Sequence, residues 1–228
     1  MKLPNYWLEP PDVEIDENTR LAFDTLLETT LALGGNPIIQ YTLPTPKWQF
    51  LCHLADHHPL ALHGSGDDQI ALFEPRQSND LNPFGNQKAV YAAADGIWAM
   101  FFAISDRDQY EMTVTNACIR LVDIDGKTSG PFYFFSVSKP ALARQPWRTG
   151  TVYLLPRTTF EAQPQMPFGA SQVHIAQLAS LVPVRPLARL TVAPSDFPFL
   201  SEIRGHDDRL LHESAAALQS GAPLPEDD

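Results

Sequence analysis

Two short segments of this chain place a histidine, a glycine, a serine and a tyrosine where they can bind a polar aromatic ligand. The first is the run Leu62–Ser65 (LHGS), in which His63 ends a short apolar stretch before a Gly-Ser turn. A histidine ring donates or accepts hydrogen bonds according to its tautomer, and a glycine lets a ligand approach the backbone closely. The second is the run 84–92 (FGNQKAVYA), which carries Tyr91 within another apolar stretch. Together these residues can supply partners for a ribose hydroxyl and a carboxamide, and an aromatic surface for a flat ring.

The order of these segments resembles the first two nicotinamide-binding motifs of the ADP-ribosyltransferase fold, in its poly(ADP-ribose) polymerase-like branch. The resemblance implies that NAD is bound as a substrate, that Tyr91 packs against the nicotinamide ring, and that Gly64 and Ser65 help to bind it. In that branch a second aromatic residue follows eleven residues after the tyrosine, and Phe102 stands there. The serine three residues before that aromatic is Ala99 here, so one carboxamide hydrogen bond is missing.

This resemblance carries an expectation about geometry. His63 and Tyr91 should face a single cleft, with Phe102 on the helix beside it. Side chains of His63 and Tyr91 on opposite faces of a sheet would contradict a nicotinamide pocket. Arg76 lies in the loop between the two motifs, which by resemblance covers the adenosine half of NAD. An arginine there could bind a ribose or phosphate through its guanidinium group. The alternative for Arg76 is a surface arginine that pairs with an acidic neighbour.

The third motif departs from the family pattern. The fold normally has a glutamate at the start of a late strand, where it pairs with the ribose and stabilises the cation that develops as nicotinamide leaves. Segment 176–186 resembles that strand, and we expect it to enter a last hairpin with Leu187–Val192. Gln177 takes the place of the glutamate, and Gln172 and Glu161 are its rivals. Because a glutamine carries no charge, the resemblance implies transfer of a single ADP-ribose at most, or nucleotide binding without catalysis.

A histidine cluster suggests a different chemistry. The cluster contains His53, Asp56, His57 and His58. Within it, His53 and His57 are spaced to share one face of a helix, where they could hold a metal ion with a third ligand such as Asp67. No glutamate stands beside them as the hydrolytic motif requires. We prefer a polar helix end whose histidines complement the helix dipole, so no metal site is predicted and a metal-dependent hydrolase is the weaker alternative.

The apolar spacing predicts the elements that position these residues. Helices are expected from Asp16 or Asn18 to Gly34, over Lys47–His57, after the cap Asp95, and over Asp208–Leu218. Strands are expected at Ile38–Leu43, Leu60–Leu62, Ala89–Ala92, Glu111–Val122, Phe132–Val137, Thr151–Leu155 and twice within Val173–Val192. Helices first and strands later are typical of an α+β fold. By resemblance it would be an ADP-ribosyltransferase-like split β-sheet core with an N-terminal helical addition.

The composition limits the number of domains and the kinds of partner that this chain can have. The 228 residues, 44% of them hydrophobic, suffice for a single large domain with a core. We expect residues 1–43 to pack on a domain of residues 44–220, followed by a disordered tail, 221–228. A net charge of −11 repels phosphate backbones, so no extended nucleic acid is expected as a partner.

The remaining expectations concern location and redox state. No segment approaches the roughly 20 apolar residues that cross a bilayer, and the first residues lack a signal core, so we expect a cytoplasmic protein of bacterial type without membrane contact. Cys52 and Cys118 are expected to be reduced, buried thiols.

The leading hypothesis is an NAD-binding, ADP-ribosyltransferase-like protein with an unidentified protein acceptor. Its catalytic residues would be His63, Tyr91 and Gln177. The alternative is a non-catalytic module that keeps the fold and binds a nucleotide or a protein.

Overall fold

The computed structural model describes residues 3–80, 82–168 and 171–225. Helices make up 28% of the chain and strands 31%, in two sheets, so the fold is α+β as the sequence predicts. The helices are α1 (Glu17–Leu31), α2 (Lys47–His57), α3 (Gly96–Ile104), α4 (Lys139–Leu142) and α5 (Leu211–Ser220). The strands are β1 (Leu60–Ser65), β2 (Arg76–Gln77), β3 (Lys88–Ala93), β4 (Val114–Val122), β5 (Thr128–Ser138), β6 (Gly150–Pro156), β7 (Glu161–Ala162), β8 (Met166–Phe168), β9 (Ser171–Ile175), β10 (Gln177–Ser180), β11 (Ala188–Val192) and β12 (Arg204–His206).

The strands form a larger and a smaller sheet. The larger sheet has the order β11-β6-β1-β3-β10-β7, and β2 pairs with β3 beside this path. The smaller sheet has the order β12-β5-β4-β9-β8. The chain passes from the smaller to the larger sheet at Ala176, where it leaves β9 and enters β10.

The structure corrects two strand predictions. Segment 38–43 is not a strand, because only Ile38 forms a bridge, to Arg189 of β11. The predicted last hairpin is also wrong, because β10 pairs with β3 and β7 while β11 pairs with β6. Both edges of β10 are thus occupied, and β11 adds to the far edge of the sheet.

Helix α3 is the centre of the molecule. Eight of its nine residues are buried, and a helix that is apolar on all sides needs cover on all sides. It packs on β1 and β6 of the larger sheet and on α2. On its other side, the Phe101 ring lies 4.8 Å from the Phe135 ring of β5 in the smaller sheet. The two sheets therefore share one core through α3.

Asp95 begins α3, as the sequence predicts. Its carboxylate accepts hydrogen bonds from the Trp98 backbone N–H and from the Tyr133 hydroxyl, both at 2.8 Å. Burial raises the pKa of Asp95, and these two hydrogen bonds oppose that shift. One side chain thus caps the central helix and ties it to β5.

The ends of the described chain also contact the core. In segment 1–43, Phe23 of α1 packs against Phe50 of α2, and Leu8 bridges Tyr133 of β5. In the predicted disordered tail, the Ala222 carbonyl accepts a hydrogen bond from the Tyr6 hydroxyl, while residues 226–228 lie outside the described residues. Cys52 and Cys118 are free thiols, and Cys118 is buried as expected, whereas Cys52 is half-buried.

We expect Asp95→Ala to lower the free energy of unfolding by about 2–4 kcal/mol, because it removes a helix cap and leaves the buried Tyr133 hydroxyl without its acceptor. Asp95→Asn keeps a capping oxygen and a polar partner for Tyr133, so its loss should be clearly smaller. Urea unfolding of both variants measures the difference. Equal losses would mean that the cap and the Tyr133 hydrogen bond do not hold α3 in place.

Candidate functional site

The larger sheet opens between β1 and β3, next to His63. Strand β1 pairs with β6 along its whole length, from Leu60 to Ser65, but it pairs with β3 at only one position, Leu62 opposite Ala93. The ring of His63 follows that pair, and its Nδ1 lies 2.6 Å from the Tyr91 carbonyl oxygen. A side chain thus takes the place that a backbone hydrogen bond would have in a continuous sheet.

This contact fixes the tautomer of His63. A carbonyl oxygen only accepts, so Nδ1 carries the proton. Burial lowers the pKa of His63, against the effect of the Tyr91 hydrogen bond, and the positive charge of Arg76 lowers it further. The ring is therefore neutral at pH 7, and its Nε2 is an acceptor. Within the described part of the chain, no group is hydrogen-bonded to that Nε2.

Gly64 lies directly under α3. A Cβ on Gly64 would meet the Ala99 carbonyl oxygen at 2.0 Å and the Ala103 backbone nitrogen at 2.6 Å. The half-buried Phe102 is the nearest side chain, with its Cβ at 3.1 Å from that position. The packing of α3 on β1 thus accounts for the glycine on its own, and the side chain beside it is that of Phe102.

The side chains of His63 and Tyr91 do not face the same side of the sheet, which corrects the expected single cleft. Residues directly opposite each other in a ladder share a face, and faces alternate along a strand. Because Leu62 is opposite Ala93, Tyr91 shares its face with Gly64, and His63 shares the other face with Ala92. The structure instead brings the His63 ring to the Tyr91 backbone.

Tyr91 is half-buried and anchors the loop before β3. Its hydroxyl accepts a hydrogen bond from the Gln87 backbone N–H at 2.9 Å and donates to the Phe84 carbonyl at 3.0 Å. The tyrosine therefore has a structural role that the sequence did not indicate. Its ring remains on the Gly64 and Phe102 side of the sheet.

Gln177 lies at the start of β10, next to the strand of Tyr91. Gln177 is opposite Ala93 and Ala179 is opposite Tyr91, so Gln177 and Tyr91 share a face. The segments identified with the three motifs thus form the neighbouring strands β1, β3 and β10.

Gln172 and Glu161, the two alternatives to Gln177 as the third-motif residue, lie in different sheets. Gln172 belongs to β9 in the smaller sheet, opposite Val122, and is not part of this arrangement. Glu161 of β7 is opposite Ala179, so it is exposed on the Tyr91 side, two strands from Tyr91.

The other predicted residues surround His63 less closely. Ser65 ends β1, and its hydroxyl accepts a hydrogen bond from the Asp67 backbone N–H in the following turn. Arg76 is exposed on β2, opposite Ala89 of β3. The ring of Phe73 lies 4.6 Å from that of His63, although the sequence analysis did not identify Phe73 as a site residue. The sequence shows only that Phe73 ends a short apolar segment before Arg76.

Two surface cavities lie elsewhere. A cavity of about 620 Å³ lies between Trp147 and Phe197, and one of about 360 Å³ lies beside His206. None of the motif residues lines either of them.

Comparison with known proteins leaves the geometry as the main evidence. No family model, curated protein or solved structure matches this chain. In the described part of the chain, no helix has the length and apolar character that crossing a membrane requires.

We expect Gly64→Ala to lower the free energy of unfolding by at least about 1–3 kcal/mol, because the new methyl group overlaps backbone atoms of α3 that cannot move alone. Gly205→Ala in β12 is the matched control, because the nearest atom there is Cγ of the flexible Lys139 side chain, at 2.8 Å. Chemical unfolding of both variants gives the comparison. A Gly64→Ala protein as stable as the control would show that α3 does not lie this close to β1.

Proposed function

We propose that this chain binds NAD at the opening between β1 and β3 and transfers a single ADP-ribose from it, with release of nicotinamide. The observation that carries the proposal is the neutral His63 ring in this opening, whose Nε2 can accept a hydrogen bond from a ribose hydroxyl. The neighbouring order of β1, β3 and β10 supports it, since this order puts residues that are far apart in the chain on adjacent strands.

The opposite orientations of the His63 and Tyr91 side chains contradict a nicotinamide pocket on one face of the sheet, so the proposal requires a ligand that lies in the opening itself. In a continuous sheet, side chains on opposite faces cannot contact the same small molecule. Here the two strands are paired at one position only, so a ligand that displaces the His63 contact with the Tyr91 carbonyl would reach groups from both faces. The nicotinamide ring would pack against Tyr91 and Phe102, and the ribose would lie towards His63.

The chemistry would be a dissociative transfer. The bond from the anomeric carbon of the ribose to the nicotinamide nitrogen breaks, and its electron pair leaves with nicotinamide. Positive charge develops on the ribose, an acceptor's lone pair forms the new bond, and the acceptor loses its proton to solvent. Gln177 can orient a ribose hydroxyl, but it stabilises the cation less than a carboxylate does.

The alternative is a module that binds a nucleotide or a protein without catalysis. Two observations favour it: the neutral Gln177 and the alanine at position 99, which leaves the carboxamide one donor short. Arg76 is exposed near His63 and could hold a phosphate in either case. Measurement of binding and of nicotinamide release separates the two functions.

We expect Tyr91→Ala to weaken NAD binding by about 1–3 kcal/mol in calorimetric titration, the scale of one aromatic stacking contact. Tyr91→Phe is the control: it keeps the ring but loses the hydroxyl that anchors the loop, so it should retain most of the affinity. If both variants bind NAD as the unmodified protein does, Tyr91 is a packing residue only.

We expect Gln177→Glu to increase nicotinamide release by about two to three decades, because electrostatic stabilisation of this kind is commonly worth roughly 2.7–4 kcal/mol. Gln172→Glu is the matched control, since it makes the same change on the other sheet. A Gln177→Glu protein that binds NAD but releases no more nicotinamide than Gln172→Glu would favour the non-catalytic alternative. Loss of activity in Glu161→Gln would assign the role to Glu161 instead.

A further inference from the structure

A second cluster of chemically active side chains joins α1 to α2. His53 Nε2 lies 2.7 Å from Asp24 Oδ1, and His58 Nε2 lies 2.8 Å from the same oxygen. One donor atom from each residue lies within 4.8 Å of the others. We infer that Asp24, His53 and His58 form a binding site for a divalent transition-metal ion of the Zn²⁺ type.

The spacing of the donor atoms suits such an ion. Zinc binds imidazole nitrogen and carboxylate oxygen at about 2.0–2.2 Å, so neighbouring ligands in a tetrahedral shell lie roughly 3.3 Å apart. Each histidine nitrogen therefore has to move about half an ångström away from Asp24 Oδ1. Asp24 and His58 lie at the surface of the helix pair, where such a shift is tolerated.

One side of the proposed metal site is exposed to solvent. The His53 side chain is 5% exposed, that of His58 is 24% exposed and that of Asp24 is 37% exposed. The Phe23 ring lies 5.4 Å from the His53 ring and helps to fix its orientation. An ion would thus enter from the Asp24 and His58 side, and water or the neighbouring His57 would complete its shell.

The hydrogen bonds show what the ion would replace. The two histidines lower the pKa of Asp24 through their hydrogen bonds, so its carboxylate is ionised and only accepts. Both Nε2 atoms therefore carry protons when no metal is bound. On binding, the proton leaves each Nε2, and that nitrogen coordinates the ion. A bound ion would thus connect Asp24 with the two histidines, as the hydrogen bonds do in its absence.

The ligand set also defines which ion is preferred. Imidazole suits Zn²⁺ and its transition-metal neighbours, whereas Mg²⁺ prefers oxygen ligands and keeps its waters. The site lies on α1 and α2 and does not include the residues around His63, so it stands independently of the proposed NAD binding.

The test is calorimetric titration of the chelator-treated chain with ZnCl₂ and, separately, MgCl₂. We expect one saturable Zn²⁺ site, at least tenfold weaker Mg²⁺ binding, and a higher unfolding temperature with Zn²⁺. His58→Gln keeps an N–H donor for Asp24 but removes the imidazole, so it should lower Zn²⁺ affinity at least tenfold. His212→Gln, which removes an exposed histidine of α5, should leave the affinity unchanged.

A second variant distinguishes loss of a metal ligand from loss of folding. Asp24→Asn keeps the shape of the side chain and removes its charge, so it should also lower Zn²⁺ affinity at least tenfold. The visible absorption of bound Co²⁺ then reports whether the ion is tetrahedral. Absence of saturable Zn²⁺ binding, or Zn²⁺ binding that persists in both variants, would overturn the inference.

Discussion

The close contact between the backbone of α3 and Gly64 of β1 determines how the rest of this molecule is arranged. There is no space for a Cβ at Gly64, so the helix lies directly on the strand. Asp95 fixes the start of the same helix and binds Tyr133 of the smaller sheet. Because α3 is buried on all sides, both sheets have to pack around it, and the main core of the molecule forms around this helix.

The opening beside His63 follows from this packing. Strand β1 is held by α3 and by β6, while β3 is held by β10, and the two halves of the sheet meet at one residue pair. The imidazole of His63 closes the gap through the Tyr91 carbonyl. The proposed NAD site is thus an interruption of the sheet that the His63 side chain bridges.

The local features were predictable from the sequence, and the long-range ones were not. The bounds of α2 and the Asp95 cap follow from residue types within a few positions. The position of β11 depends on which strand edge is free, and the side on which Tyr91 lies depends on the register of one residue pair. A shift of one residue reverses the face, and no local pattern sets that register.

The contacts of the histidine cluster were likewise not predictable from the local sequence. The helical spacing pointed to His53 and His57 with a distant ligand such as Asp67, whereas the structure pairs His53 with His58 through Asp24. Asp67 instead accepts a hydrogen bond from the Gln69 backbone N–H in its own turn. Asp24 lies on another helix, and only the packing of α1 on α2 brings it near.

The state of the His63 ring is the most direct test of the proposed site. Nitrogen NMR of histidine-labelled protein reports the tautomer and the titration of each ring. We expect His63 to be neutral, to carry its proton on Nδ1, to titrate below the ordinary histidine range, and to shift on addition of NAD. A His63 ring protonated on Nε2, or one that NAD leaves unchanged while the protein binds it, would contradict a nucleotide site at this opening.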